Sequence, residues 1–211
     1  MRMHAGGSMA ERKRQLVADE LRDAALMLLA TRGFDVVTVD DIVAAAGMSR
    51  RTFFRYFASK EDVVVRFLAD LCADVVAELV ARPPAEPPSV ALRHALWVPF
   101  AACTDHPDHT ERARVVVRLI LDTPALHARA LEYQIQWRAG LTTELATRHG
   151  LDPDADPFPR MAAGMAMLAF DTVLQQWQVG DDEHRLAELT DGAFAVVAPA
   201  LDACTASSDV G

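Results

Sequence analysis

Three arginines in one short stretch, Arg50, Arg51 and Arg55, are the side chains whose type and spacing point most directly to chemistry. They lie in SRRTFFRYF, Ser49 to Phe57, beside Ser49, Thr52 and Tyr56. On a helix, Arg51 and Arg55 are one turn apart and share a face. A guanidinium presents a planar fork of donors that matches O6 and N7 of guanine, so these two suit base edges. Arg50, Thr52 and Tyr56 carry donors suited to phosphate oxygens. The competing reading is a solvated arginine face on a small surface helix.

Other chemistry is poorly supported. No GxSxG, HExxH, P-loop or dinucleotide fingerprint occurs, and no general acid/base pair stands beside a nucleophile. Cys103-Thr-Asp-His-Pro-Asp-His109 holds metal-ligand residue types. It contains a proline and has no second cluster of matching spacing, so it reads as a solvated polar loop and no metal is expected. No cofactor is expected either. The three cysteines, Cys72, Cys103 and Cys204, are far apart with no CxxC spacing, and read as buried thiols in a reducing cytoplasm.

The elements that must carry the arginines are legible from caps and periodicity. Residues 11–32 show Leu16, Ala18, Leu21, Ala25, Leu28 and Leu29 at three- and four-residue steps, which predicts one helix ended by Gly33. Arg12, Lys13 and Arg14 at its start fit a phosphate partner and simple solvation equally well. Thr38, with Asp41 three residues on, predicts a capped second helix. Gly47 supplies a turn, and Ser49 caps a third helix whose Phe53, Phe54 and Phe57 are expected to anchor it. Ser59 opens a fourth helix running to about Val80, before the four prolines of residues 83–88.

The charge pattern agrees. The chain of 211 residues has a net charge of −9, yet residues 1–60 carry ten Lys/Arg against seven Asp/Glu. A basic head on an acidic body suits a protein that meets DNA at one discrete site. Ala- and Leu-rich composition predicts helices, and no apolar run is long enough to span a bilayer. Residues 1–10 lack the apolar stretch of a secretory signal and read as disordered, with Met9 a second candidate start.

The run T-x-x-D-I-x-x-A-A-G-M-S-R-R-T-F-F-R-Y-F-x-S-K-E-D, preceded by a helix, resembles the TetR family of bacterial one-component transcription regulators. The resemblance is close over residues 11–65 and extends in size and kind to the helical remainder. It implies an all-α fold of about nine helices. Residues 11–58 would be a helix-turn-helix head and residues 59–204 a ligand-binding and dimerisation body, with 205–211 a disordered tail. It implies a homodimer on a palindromic DNA operator. The family's recognition-helix contacts carry over to Ser49, Arg50, Arg51, Thr52, Arg55 and Tyr56, and its phosphate contacts to Thr38 and Lys60. Many members have glycine where this chain has Arg51, so an operator read through a side chain there is expected to be distinct.

Five helices are expected in the body, at 89–103 (capped by Ser89), 108–122, 124–149 (behind the Thr123-Pro124 start), 157–179 and 183–204. Met161–Phe170 is apolar on nearly every side and should be buried on nearly every side. With the last helix it reads as the dimer interface, a four-helix bundle between two copies. A pocket for a small hydrophobic effector is expected among Trp97, Phe100, Leu119, Tyr133, Trp137, Met165, Phe170 and Trp177, each also explicable as plain core. Arg118 and Asp171 fit three roles: meeting a ligand's charged group, pairing with each other, or reaching solvent. A repressor released by its effector is the leading reading. An activator, a ligand-independent DNA binder and an all-helical enzyme are the alternatives.

Overall fold

The computed structural model describes residues 9–104, 107–179 and 185–207, and within them all side chains except those of 68, 71–72, 102–104, 107–109, 111–112, 179 and 204–207. The described residues form nine helices and no strand. α1 spans Met9–Arg32, α2 Val39–Ala45, α3 Arg50–Tyr56 and α4 Lys60–Ala81. The body adds α5 (Pro88–Thr104), α6 (Pro107–Asp122), α7 (Pro124–His149), α8 (Phe158–Val179) and α9 (Arg185–Ser207). None of these is long and apolar enough to cross a membrane.

Several boundaries follow from caps. Gly33 (φ 88°) and Gly47 (φ 62°) take left-handed backbone that a side chain would strain. Gly150 (φ 64°) does the same at the end of α7, where Leu151 N–H reaches back to Ala146 O at 2.9 Å. Thr38 and Asp41 form a reciprocal capping box: Asp41 N–H donates to Thr38 Oγ1 at 3.2 Å and Thr38 N–H to Asp41 Oδ2 at 2.9 Å. Ser49 accepts from Thr52 N–H and Ser59 from Asp62 N–H. α4 stops before the prolines, and Arg148 of α7 donates to the carbonyls of Leu79, Arg82 and Pro83 at and just past the helix end.

Other expectations needed correction. α1 begins at Met9, so the first helix takes up two residues expected to be disordered, and residues 1–8 lie outside the described part. α9 runs through Ser207, since residues 205–207 include no helix breaker, and 208–211 lie outside. Ser89 does not cap α5. The helix starts at Pro88, and Ser89 turns its N–H and hydroxyl to the Asp202 carboxylate of α9, at 2.9 and 2.7 Å. Thr123 precedes α7 without a side-chain cap bond, leaving Pro124 to pre-set the first turn. The expected loop of 103–109 shrinks because α5 reaches Thr104 and proline is well placed to open α6 at 107. Its side chains, and the thiols of Cys72, Cys103 and Cys204, lie outside the described set.

Two apolar clusters hold the fold. The body cluster joins α4, α5, α7, α8 and α9 around Leu92, Leu96, Phe100, Trp137, Leu141, Phe170 and Trp177. The head cluster gathers Leu21, Ala25, Leu29, Ile42, Phe53 and Phe57, and it extends beyond the first four helices to Val116, Leu119 and Ile120 of α6 and Leu126 of α7. The head is therefore seated on the body through α6. The α1 stripe buries Leu21, Ala25 and Leu29 on the expected face, with Ala18 and Leu28 packed beside them, and it adds Leu26, whereas Leu16 is 68% exposed.

Candidate nucleic-acid interface and the cavity behind it

α3 is held from behind by Phe53 and Phe57, both in the head cluster with ring centroids 5.6 Å apart. Phe54 departs from the expected anchor. It stands 48% exposed, edge-on to Phe53, with the Arg50 guanidinium 5.8 Å from its ring centre. The anchor is thus two rings, and their four-residue spacing puts the intervening positions outward.

The outward side chains are organised differently from one another. Arg50 is tied to Asp40 of α2, Nη1 donating to both carboxylate oxygens at 2.9 and 2.8 Å. Arg55 lies over the Tyr56 ring at 4.9 Å, and its Nη2 donates to the Tyr56 hydroxyl at 3.3 Å. Ser49 and Thr52 share a hydroxyl contact of 3.0 Å. Arg51 is exposed and makes no hydrogen bond or ion pair with a described residue. Of the three arginines it therefore has the least to give up on meeting a base edge.

Two residues expected to meet phosphates are already engaged. The Thr38 hydroxyl donates to Asp41 Oδ2 at 2.5 Å, and the bonds from Thr38 hold the Asp41 carboxyl below the usual carboxylate range. Lys60 Nζ donates to Phe34 O and, at 2.9 Å, to Val37 O, and it sits 4.4 Å above the Phe34 ring. Two of its three donors therefore fasten the segment that leads into α2.

Behind the head lies a cavity of about 1220 Å³. Five of the eight expected wall residues line it: Phe100, Tyr133, Trp137, Phe170 and Trp177. Trp97 and Met165 instead pack against the body cluster, and Leu119 belongs to the head cluster, because the α6 face that carries it docks on α1. Residues not anticipated from sequence include Leu16, Glu20, Ala24 and Met27 of α1, Ala45 of α2 with Ala46 just after it, and Phe67 of α4. Sequence periodicity gave no signal for them, since it set Leu16 on the buried stripe; that Leu16 and Met27 are exposed shows only in the fold.

Arg118 and Asp171 do not pair. Arg118 is exposed and donates to Gln178 O at 3.4 Å. Asp171 accepts from Gln134 Nε2 at 2.6 Å, and burial raises its carboxyl above the usual range, a shift that the Gln134 bond partly offsets. Among the described residues, no group of three His, Cys, Asp or Glu side chains is placed to hold a metal ion.

A two-helix turn presenting arginines, seated on a helical body with a large apolar cavity, defines a DNA-binding transcription regulator. Residues 21–67 match the bacterial regulatory proteins of the tetR family, and residues 86–202 match the MftR C-terminal domain. The chain belongs to the TetR family of transcriptional regulators. It is 33% identical, over 90% of its own length and 94% of the other, to a Mycobacterium tuberculosis protein described as a mycofactocin biosynthesis transcriptional regulator, MftR. It is 29% identical to the HTH-type transcriptional regulator TcmR of Streptomyces glaucescens, over 84% of this chain and 80% of that one. In fold it is similar to the transcriptional regulator FadR of Bacillus subtilis, solved in complex with stearoyl-CoA. That likeness has a TM-score of 0.64 and 18% identity, and covers 85% of this chain and 97% of that one.

Proposed function

We propose that this regulator is a repressor that binds a palindromic operator as a homodimer and is released by a large hydrophobic molecule held in the cavity. The head, residues 11–58, places α3 in the major groove. Arg51 and Arg55 read base edges, while Ser49, Arg50, Thr52 and Tyr56 set the helix on the backbone. Thr38 and Lys60 secure the N-terminal side of α2. Residues 59–204 bind the effector and pair the two copies, and the protein works in the cytoplasm.

The observation that carries this reading is the origin of the cavity walls. One cavity is bounded by body residues of α5 to α8 and by head residues of α1 and α2, the latter next to the Gly47 turn. An occupant touches both parts and so binds unequally to different head positions, which is the condition for shifting DNA affinity. The stearoyl-CoA held by the structurally similar FadR supports a bulky apolar effector. Pairing through α8 and α9 is supported by Met161 and Leu168 of α8 and Val196 of α9, all exposed on the single chain, and by open space at Gly164 and Gly192.

The test is selection of a duplex from random sequence by the purified protein, followed by titration of apolar compounds against the labelled complex. A palindrome occupied by one dimer is expected, and compounds that raise the Tm of the free protein should lower operator affinity. Compounds that stabilise the protein without moving operator affinity would refute ligand control. Selection of an asymmetric site would refute the paired heads.

A further inference from the structure

One aromatic ring of α3 is left out of the core. Among the described residues, Phe54 is the one phenylalanine or tryptophan that stands exposed, and the others are buried or half-buried. A single exposed apolar side chain needs no explanation by itself. What sets Phe54 apart is where it stands and how it is held. At 3.6 residues per turn, Arg51 and Arg55 lie opposite the buried Phe53 and Phe57, and Phe54 lies about 60° round from Arg51. It is three residues from Arg51, so their Cβ atoms are roughly 5–6 Å apart, and four residues from Arg50. The ring therefore belongs to the face that carries the arginines.

Phe54 is also fixed in place. It meets buried Phe53 edge-on at 5.4 Å, and the Arg50 guanidinium stands 5.8 Å from its ring centre. Arg50 is itself held by the Asp40 carboxylate of α2 through two hydrogen bonds, at 2.9 and 2.8 Å. Asp40 thus sets Arg50, and Arg50 with Phe53 sets the ring, while about half of the residue stays open at 48% exposure. A phenyl ring has no donor for a phosphate oxygen or a guanine edge. The apolar group that a major-groove edge presents is the C5-methyl of thymine, and phenylalanine is one of the side chains suited to it.

We propose that Phe54 is a specificity residue that packs on the C5-methyl of one thymine per half-site, within one or two base pairs of the Arg51 contact. The inference rests on the reading that α3 enters the major groove. The operator that the full chain selects from random duplexes is remade with each thymine replaced singly by deoxyuridine, which lacks only the methyl. Affinity is measured for the full chain, Phe54→Ala and Phe54→Leu. At one position per half-site the full chain should lose about three- to fivefold on deoxyuridine, and about ten- to twentyfold with both half-sites changed. Phe54→Ala should bind the two duplexes equally, and Phe54→Leu, still apolar, should keep part of the difference. A helix loosened by the substitution would weaken both duplexes together and leave their ratio alone, so the ratio reports the contact between ring and methyl. A selected half-site without thymine, no methyl effect at any position, or an effect that Phe54→Ala leaves unchanged overturns the role of Phe54 and leaves the reading of α3 standing. Failure to select any duplex overturns both.

Discussion

Lys60→Met separates the phosphate contact that the family resemblance implies for this residue from the structural role that the fold gives it. Methionine keeps the length and apolar stem of lysine and removes the ammonium. In the folded protein that ammonium makes two hydrogen bonds to backbone carbonyls, of Phe34 and Val37, and a cation–π contact with Phe34. A hydrogen bond from a charged donor is worth about 1.5–3 kcal/mol, and a half-buried pair sharing one cation falls near the bottom of that range. The ring contact adds about 0.5 kcal/mol at a site open to water. Part of the loss is recovered as the two carbonyls turn to water. A net destabilisation of about 2 kcal/mol follows, which for a chain of this size lowers Tm by about 4–8 °C. The assay is thermal unfolding, paired with operator affinity measured across salt concentration. Because the amine is spent on the fold, operator affinity should fall while its salt slope stays unchanged. An unchanged Tm with a slope reduced by about one per subunit would refute the reasoning and return Lys60 to the phosphate contacts.

Arg51→Ala should leave Tm unchanged, since no described partner is lost, and should weaken operator binding by about 1–3 kcal/mol while relaxing preference at one base pair per half-site. Equal losses on all duplexes would show that Arg51 meets only the backbone. Asp171→Asn should raise Tm at neutral pH. Burial raises this carboxyl in the folded state, so the native chain loses stability as pH climbs from the ordinary aspartate value of 3.8 through the raised one. The gain should vanish below that range, where both side chains are neutral, and a gain that persists in acid would point to packing instead. On the proposed pairing through α8 and α9, the unaltered chain should sediment as a dimer and Leu168→Arg, on the exposed face of α8, as a monomer without lower Tm; a dimer that survives it would place the contact elsewhere.

The helices of the head were legible because their ends are written in local chemistry. Thr38 with Asp41, Ser49, Ser59, Gly33 and Gly47 satisfy helix ends or supply positive φ within a few residues of themselves, and each does so in the folded chain. The same holds at Gly150. Local reasoning failed where a distant group competes. Ser89 looks like a cap, but Asp202, over a hundred residues away, takes both its donors. Phe54 looks like an anchor, but the helix has only one buried side, and Phe53 and Phe57 occupy it.

The candidate site divides along the same line. Which residues suit base edges is a matter of side-chain type on a short helix, and the shared face of Arg51 and Arg55 follows from spacing alone. How free each one is was decided in three dimensions, by Asp40 reaching Arg50 and by the carbonyls reaching Lys60. The aromatic half of the cavity, Phe100, Trp137, Phe170 and Trp177, could be guessed from residue size. Its other half, on α1 and α2, could not, because periodicity reports that a face is apolar and not which helix will cover it or stop short of covering it. The sequence by itself determined the helices, the caps of the head and the family. Only the packing of α6 against α1 decided that head and body share a core and a cavity, because that contact joins faces nearly a hundred residues apart.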